Sequence, residues 1–436
     1  MLLIYTEKIT NRVKFTMGLY FRDILHVKYE LTSDQQAFEA YDGPKMSYGK
    51  SPVKDELFLA AEHILFERKI KHIDLNFIDF EGIPAFFPVY NKLSALPFDP
   101  LAAGFYIVTR YEEYLPYKKD EYGRFSAKES IAFQKGFLHK PVVNIWATKI
   151  KKLLSERYAN LEFNAPKYKF IPTIDIDAAW AYREKGLFRT FGGYLNALYH
   201  ADFKGIAERT RVLAGTQNDP FDTYNFQLKI HRRYKLNPIY FVLFAEYGLN
   251  DKNIPFRNRK FQTLIKSLAD HARVGIHPSF NSNFDFKRLK SEVERLSHVL
   301  NREINLSRQH FLMVQLPGTY RNLVNLDISD DYSMGFAAQP GFRAGICSSF
   351  RFYDLDLDTE TKLRIHPFTY MEGTLKDYMN LSVNEASAVI KPLIKEVKEV
   401  NGTFISIWHN ESLSNAHRWQ GWQQLYEEMI QEAMVK

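Results

Sequence analysis

A single cysteine, Cys347, rules out any intrachain disulfide. Its neighbours, Gly345-Ile-Cys-Ser-Ser-Phe350, include no histidine, so the residue reads as a core or loop thiol and not as a nucleophile. No apolar run reaches the length of a membrane span. The opening stretch Met1-Leu-Leu-Ile-Tyr-Thr-Glu7 lacks a basic n-region and a long apolar h-region, which makes a cytoplasmic protein without a transmembrane segment the expectation. Also missing is a basic tract: the formal charge is +7, yet Lys and Arg are scattered among acids, so nucleic acid is not an expected partner. Internal repeats and low-complexity segments are absent.

What is present is a chain of 436 residues, 45% hydrophobic and 25% charged, long enough for two domains or for one barrel with a large extension. In the first third, residues 2–5 and 27–31 read as strands, and 10–25 and 55–66 as helices on apolar spacing. Residues 141–158 read as an amphipathic helix, and the polar stretch 160–169 with Pro166 as a junction. Arg110, Glu112 and Glu113 read as a charged network fixing a domain interface. Beyond the junction the pattern changes. Short apolar strands are expected at 169–175, 238–244, 273–277, 311–316, 331–336, 363–368 and 403–408, with helices between them at 221–234, 261–271, 284–300 and 386–400. Strand then helix, repeated, predicts a parallel sheet closed or nearly closed into a barrel. Residues 182–215 read as helical, interrupted at Gly192-Gly193, and roofing the mouth; residues 419–434 read as a helix sealing the barrel against the first domain.

The stretch Phe170-Ile-Pro-Thr-Ile-Asp-Ile-Asp177 is an apolar strand ending in two carboxylates one residue apart, which the pleat sends the same way. Alone, Asp-x-Asp at a strand end is most simply loop capping. His277 and His409 stand where later apolar strands give out, and strand C-termini of a βα-barrel share one face, so one mouth gathers these groups.

In order and spacing, Thr173-Ile-Asp-Ile-Asp177, Val274-Gly-Ile-His-Pro-Ser-Phe280, Arg308-Gln-His310 and Ile405-Ser-Ile-Trp-His-Asn410 resemble the polysaccharide deacetylases of the NodB-homology type, carbohydrate esterase family 4. The resemblance covers roughly residues 168 to 410. It implies an α/β fold, a distorted (β/α) barrel over 166–436, preceded over 1–165 by an N-terminal α+β domain like that of an uncharacterised branch of bacterial homologues. It further implies a divalent metal, zinc first and cobalt or manganese next, and an acetylated glycan or oligosaccharide as substrate. Carried over residue by residue, Asp175 matches the catalytic base, Asp177 and His277 the metal ligands, Arg308 the arginine that orients the base, and His409 the general acid. Trp408, Arg343 and Tyr332 match positions that wall the substrate pocket. One departure stands out: the second metal histidine of the family is Asn281 here, so Asn281 or His310 is left to complete the metal site. Two other readings compete. A glycosyltransferase would use Asp175 and Asp177 to clamp a metal and a nucleotide sugar, and a catalytically inactive homologue would bind a glycan only.

Overall fold

Seven residues of Lys169–Ile176 (β7) pair with Thr403–His409 (β15), the longest ladder in the molecule and the axis on which the C-terminal half is built. The computed structural model describes residues 1–164 and 166–435, so the domain boundary expected at 165/166 falls on Ala165, outside the described residues. Among the described residues no helix is long and apolar enough to cross a membrane.

The N-terminal region holds a four-stranded parallel sheet made of Leu2–Tyr5 (β1), Tyr29–Thr32 (β2), Lys45–Gly49 (β3) and Leu57–Ala60 (β4), in the order β2-β1-β3-β4. An antiparallel hairpin, Phe77–Phe80 (β5) with Ile83–Phe86 (β6), follows. The helix Pro100–Val108 is buried along its whole length and is capped by Asp99, whose carboxylate accepts the amides of Leu101 and Ala102. Residues 55–66 are not the helix that their spacing suggests. All four residues of β4 are buried, as in a strand covered on both faces, and such a run carries no period of two to distinguish it from a buried helix.

The larger sheet has nine strands. Besides β7 and β15 it contains Ile239–Val242 (β8), Arg273–Ile276 (β9), Leu306–Ser307 (β10), Asp330–Asp331 (β11), Phe350–Asp354 (β12), Thr359–Ile365 (β13) and Tyr370–Met371 (β14), in the order β12-β13-β11-β10-β9-β8-β7-β15-β14. All neighbours are parallel except β12 with β13. Strand pairing does not close this sheet into a barrel. Instead the chain between β13 and β14 spans its two ends: the amides of His366 and Phe368 donate to Asp331 and Met334 on one side, and that of Thr369 to Ile405 on the other. Alternate residues of β8, β10 and β15, with Phe368, form a small inner cluster that includes Ile239, Phe241, Leu306, Ile405 and Ile407. The main core is continuous from β1 and the helix Pro100–Val108 to the outer faces of β7 and β15.

Two expected strands differ. Residues 311–316 are not extended; the strand in that unit is the two-residue β10, and Phe311 and Leu312 carry φ of 58° and 54°. Only the first residue of 331–336 is in a strand. The helix Gly186–Tyr199 runs straight through Gly192-Gly193 and breaks instead before Phe203–Leu213, whose cap is Asp202. The last helix, Trp422–Met434, packs on the C-terminal half itself: Tyr426 meets His231 at 2.6 Å, and Lys398 donates to the Glu432 carbonyl.

Candidate active site

The residues that end β7, β9, β10 and β15 converge on a cavity of about 250 Å³. Asp175 is the penultimate residue of β7 and Asp177 follows its end, so both point to one side while Ile176 is buried on the other. Two residues after Gly275 in β9 comes His277. A Cβ at Gly275 would lie 2.7 Å from the Leu306 carbonyl oxygen, so glycine lets β10 approach closely enough for the Arg308 carbonyl to meet His277 Nδ1 at 2.5 Å.

That contact orients the ring: a carbonyl only accepts, so Nδ1 carries a proton and Nε2 is turned toward the cavity. Facing it at 3.2 Å is Asp177 Oδ1, a buried atom with no hydrogen-bond partner. A proton or a metal ion shared between these two atoms satisfies both. His310 Nε2 approaches Asp177 Oδ2 at 3.4 Å, while its Nδ1 is held at 2.9 Å by the buried Asp251. Asp177, His277 and His310 each offer a ligand atom, and the three atoms lie within 4.8 Å of one another. One carboxylate oxygen, two imidazoles and an open side toward the cavity fit a divalent cation, and the carbonyl and carboxylate behind the imidazoles are the outer partners such ligands use.

Electrostatics follow from this crowding. Burial works against ionisation of Asp177, but the imidazoles of His310, His277 and His409 hold its carboxyl well below the usual range. For His310 burial opposes the charge, and the carboxylates of Asp177 and Asp251 push it up to about 9. His409 Nδ1 and backbone amide both meet Glu372 Oε1 at 2.8 Å, and its Nε2 lies 3.8 Å from Asp177. Burial again opposes charge there, while the carboxylates of Glu372, Asp177 and Asp175 raise it well above the ordinary imidazole value. Arg308 is fully buried, with Nη1 at 3.3 and 3.4 Å from the two oxygens of Asp175 and Nη2 on Thr173 Oγ1 at 3.0 Å.

Of the residues expected from sequence, the fold brings together Asp175, Asp177, His277, Arg308, His310 and His409. Four others lie elsewhere. Asn281 sits exposed in a short 3-10 helix, Asn281–Phe284, and does not line the cavity. Trp408 precedes His409 in β15 and so faces the opposite side, buried against Tyr426 and Trp422 and donating to Tyr370 Oη at 3.1 Å. Arg343 is consumed by Glu113, at 2.6 and 2.9 Å. Tyr332 stacks on His366 at 4.3 Å in the inner cluster.

Three further residues in or behind the cavity wall were not assigned roles from the sequence. Gln309 is buried, and its Nε2 has no partner. Asp251 comes from an irregular loop with no periodicity. Arg124 arrives from the N-terminal region: it donates to the Phe311 carbonyl at 2.7 Å and to Tyr378 Oη at 3.3 Å, and it is braced by Asp120 at 2.6 Å.

Residues 2–159 match the model of a family of unknown function, DUF7033. Among curated proteins no sequence matches the chain. Solved structures give faint likenesses. A candidate polysaccharide deacetylase from Mycobacterium smegmatis is 12% identical, with a TM-score of 0.41 over 62% of this chain and 86% of that one. A polysaccharide deacetylase from Bacillus cereus is 10% identical, with a TM-score of 0.29 over 61% and 88%. A CE4 family pseudoenzyme from Bacillus anthracis is 11% identical, with a TM-score of 0.29 over 61% and 60%.

Proposed function

We propose that the protein is a metal-dependent hydrolase that removes acetyl groups from N-acetylated sugars or polysaccharide. Residues 166–436 form its catalytic domain, a distorted (β/α) barrel of the NodB-homology type, and 1–165 an N-terminal α+β domain. The observation that carries the reading is the convergence of ligand atoms from Asp177, His277 and His310 within 4.8 Å of one another, with Asp177 Oδ1 buried and unpartnered 3.2 Å from His277 Nε2. Asp177, His277 and His310 hold a divalent cation there, with zinc first among candidates for a carboxylate and two imidazoles. When bound, such an ion acts as a Lewis acid and lowers the pKa of water.

The remaining steps belong to the chain's own side chains. Asp175, held by Arg308, accepts the proton of the water that attacks the acetyl carbon. Gln309 offers its free N–H to the acyl oxygen as negative charge develops on it. The C–N bond then breaks, and His409, kept protonated by Glu372, gives its Nε2 proton to the departing amine; acetate and a free amino sugar result.

The test is a zinc titration by calorimetry alongside acetate release from N-acetylated chito-oligosaccharides. Wild-type protein binds the metal and loses activity to chelator. His277→Ala loses metal binding and activity together, while Asp175→Asn keeps metal binding and loses about 10²- to 10⁴-fold in rate. Acetate release that is indifferent to chelator would sink the proposal, and metal binding with no release from any acetylated glycan would leave a binding protein in place of an enzyme.

A further inference from the structure

The helix Gly186–Tyr199 buries a single residue, Ala197. Leu187 and Phe188 are 89% and 96% exposed, and Phe191, Leu195, Leu198 and Tyr199 are exposed as well. At about 100° per residue these six side chains share one arc of about 120°, directed away from the side that carries Ala197. A contiguous apolar face of this kind on a folded protein marks an interaction surface.

The surroundings say what covers it. Between residues 183 and 213 there are six Lys or Arg against three Asp or Glu, in a chain whose formal charge is +7. Two copies meeting through this face would bring like charges together, whereas an anionic surface is complementary. The arc stands on a helix of 14 residues, about 21 Å long and too short to span a hydrocarbon core of about 30 Å. An apolar face in a segment of net positive charge, on a helix that cannot cross, is the pattern of a helix lying in the plane of a membrane interface. On the other side of the helix, outside the arc, the Arg189 guanidinium lies 4.1 Å over the Tyr247 ring and donates to the Asn253 carbonyl, tying the helix to a neighbouring loop.

The placement is also rigid and near the cavity. Asp219 accepts the backbone N–H groups of Ala181, Tyr182 and Arg183, fixing the root of the helix nine residues after Asp177. In the paired helix Phe203–Leu213, Glu208 meets His417 at 2.9 Å, next to Arg418 and Trp419 of the cavity wall. We infer that residues 186–213 form a docking element that seats the protein on an anionic lipid bilayer, with the cavity rim beside the contact.

Co-sedimentation of the full chain with vesicles tests this, using phosphatidylcholine alone and phosphatidylcholine mixed with phosphatidylglycerol. The chain is expected to pellet with the anionic vesicles, less so as salt rises. The double variant Phe188→Ser, Leu195→Ser, which alters only exposed side chains, is expected to bind at least about tenfold more weakly with an unchanged melting temperature. Lys204→Glu with Arg211→Glu is expected to weaken binding to the anionic vesicles. Failure to pellet with either vesicle, or equal pelleting by the serine variant, would overturn the inference. So would a dimer in solution that the serine variant dissociates, because a second copy would then be the occupant. None of these readouts depends on hydrolysis.

Discussion

At the scale of single residues, the site is a set of side chains each held by another. Asp251 touches no cavity atom that chemistry needs, yet it aims His310. Asp251→Ala is therefore expected to weaken zinc binding about 10- to 100-fold by calorimetry, the usual cost of removing the group behind a ligating imidazole. Glu372 stands in the same relation to His409. Replacing it by glutamine removes the negative charge that raises the imidazole's pKa, so the alkaline limb of the pH–rate profile should move to lower pH. Much at this scale was legible in the sequence. Two aspartates one residue apart on a strand must share a side, and Gly275-Ile-His277 marks both a close strand approach and a strand end. The same parity rule contained a warning about Trp408: if His409 faces the cavity, its neighbour cannot. Asn281 and Asp251 were not legible, because one opens a single 3-10 turn and the other lies in an irregular loop, where spacing says nothing about direction.

At the scale of elements, strands and helices with clear periods stand close to where their residues put them. β7 and β15 match expectation within two residues at each end, and the helix Phe286–Leu300 needs only a shifted start. The two misplaced strands at 311–316 and 331–336 share one cause: where strands shrink to two residues, as in β10 and β11, ladders are set by neighbours and not by local pattern. The helix Tyr224–Arg233 is tied to Trp422–Met434 through His231, whose buried imidazole is depressed to about 4 by desolvation. An unfolded histidine titrates near 6.5, so the unfolded chain binds the proton that the folded one refuses. Stability from this group is complete above about pH 6.5 and is lost as pH falls toward 4, by up to about 3 kcal/mol. Urea midpoints across that window should fall in the wild type and fall less in His231→Gln.

At the scale of the whole molecule, the N-terminal region is joined to the C-terminal half by charge as well as by apolar core. Arg110, left-handed at φ 56°, bonds Glu112 and Glu113 at 2.7 Å each and donates to the Arg343 carbonyl; Arg343 returns two bonds to Glu113. The sequence pointed to this role for Arg110, Glu112 and Glu113 but could not name Arg343, 230 residues away, as the partner. Glu113→Ala leaves two buried guanidiniums with too little countercharge and should cost about 3–5 kcal/mol in urea denaturation. Arg124 extends the same joint to the cavity wall.

The ladder between β7 and β15 has a consequence for how the protein is born. As the chain leaves the ribosome, the strand bearing Asp175 emerges more than 220 residues ahead of the strand it pairs with most extensively. Until Thr403–His409 is made, one edge of β7 offers its amides and carbonyls to any passing strand, a state prone to wrong association. Closing so long a loop is slow by topology, so the face that carries the cavity is among the last parts to assemble, and nascent chains stalled before residue 403 should be captured by chaperones.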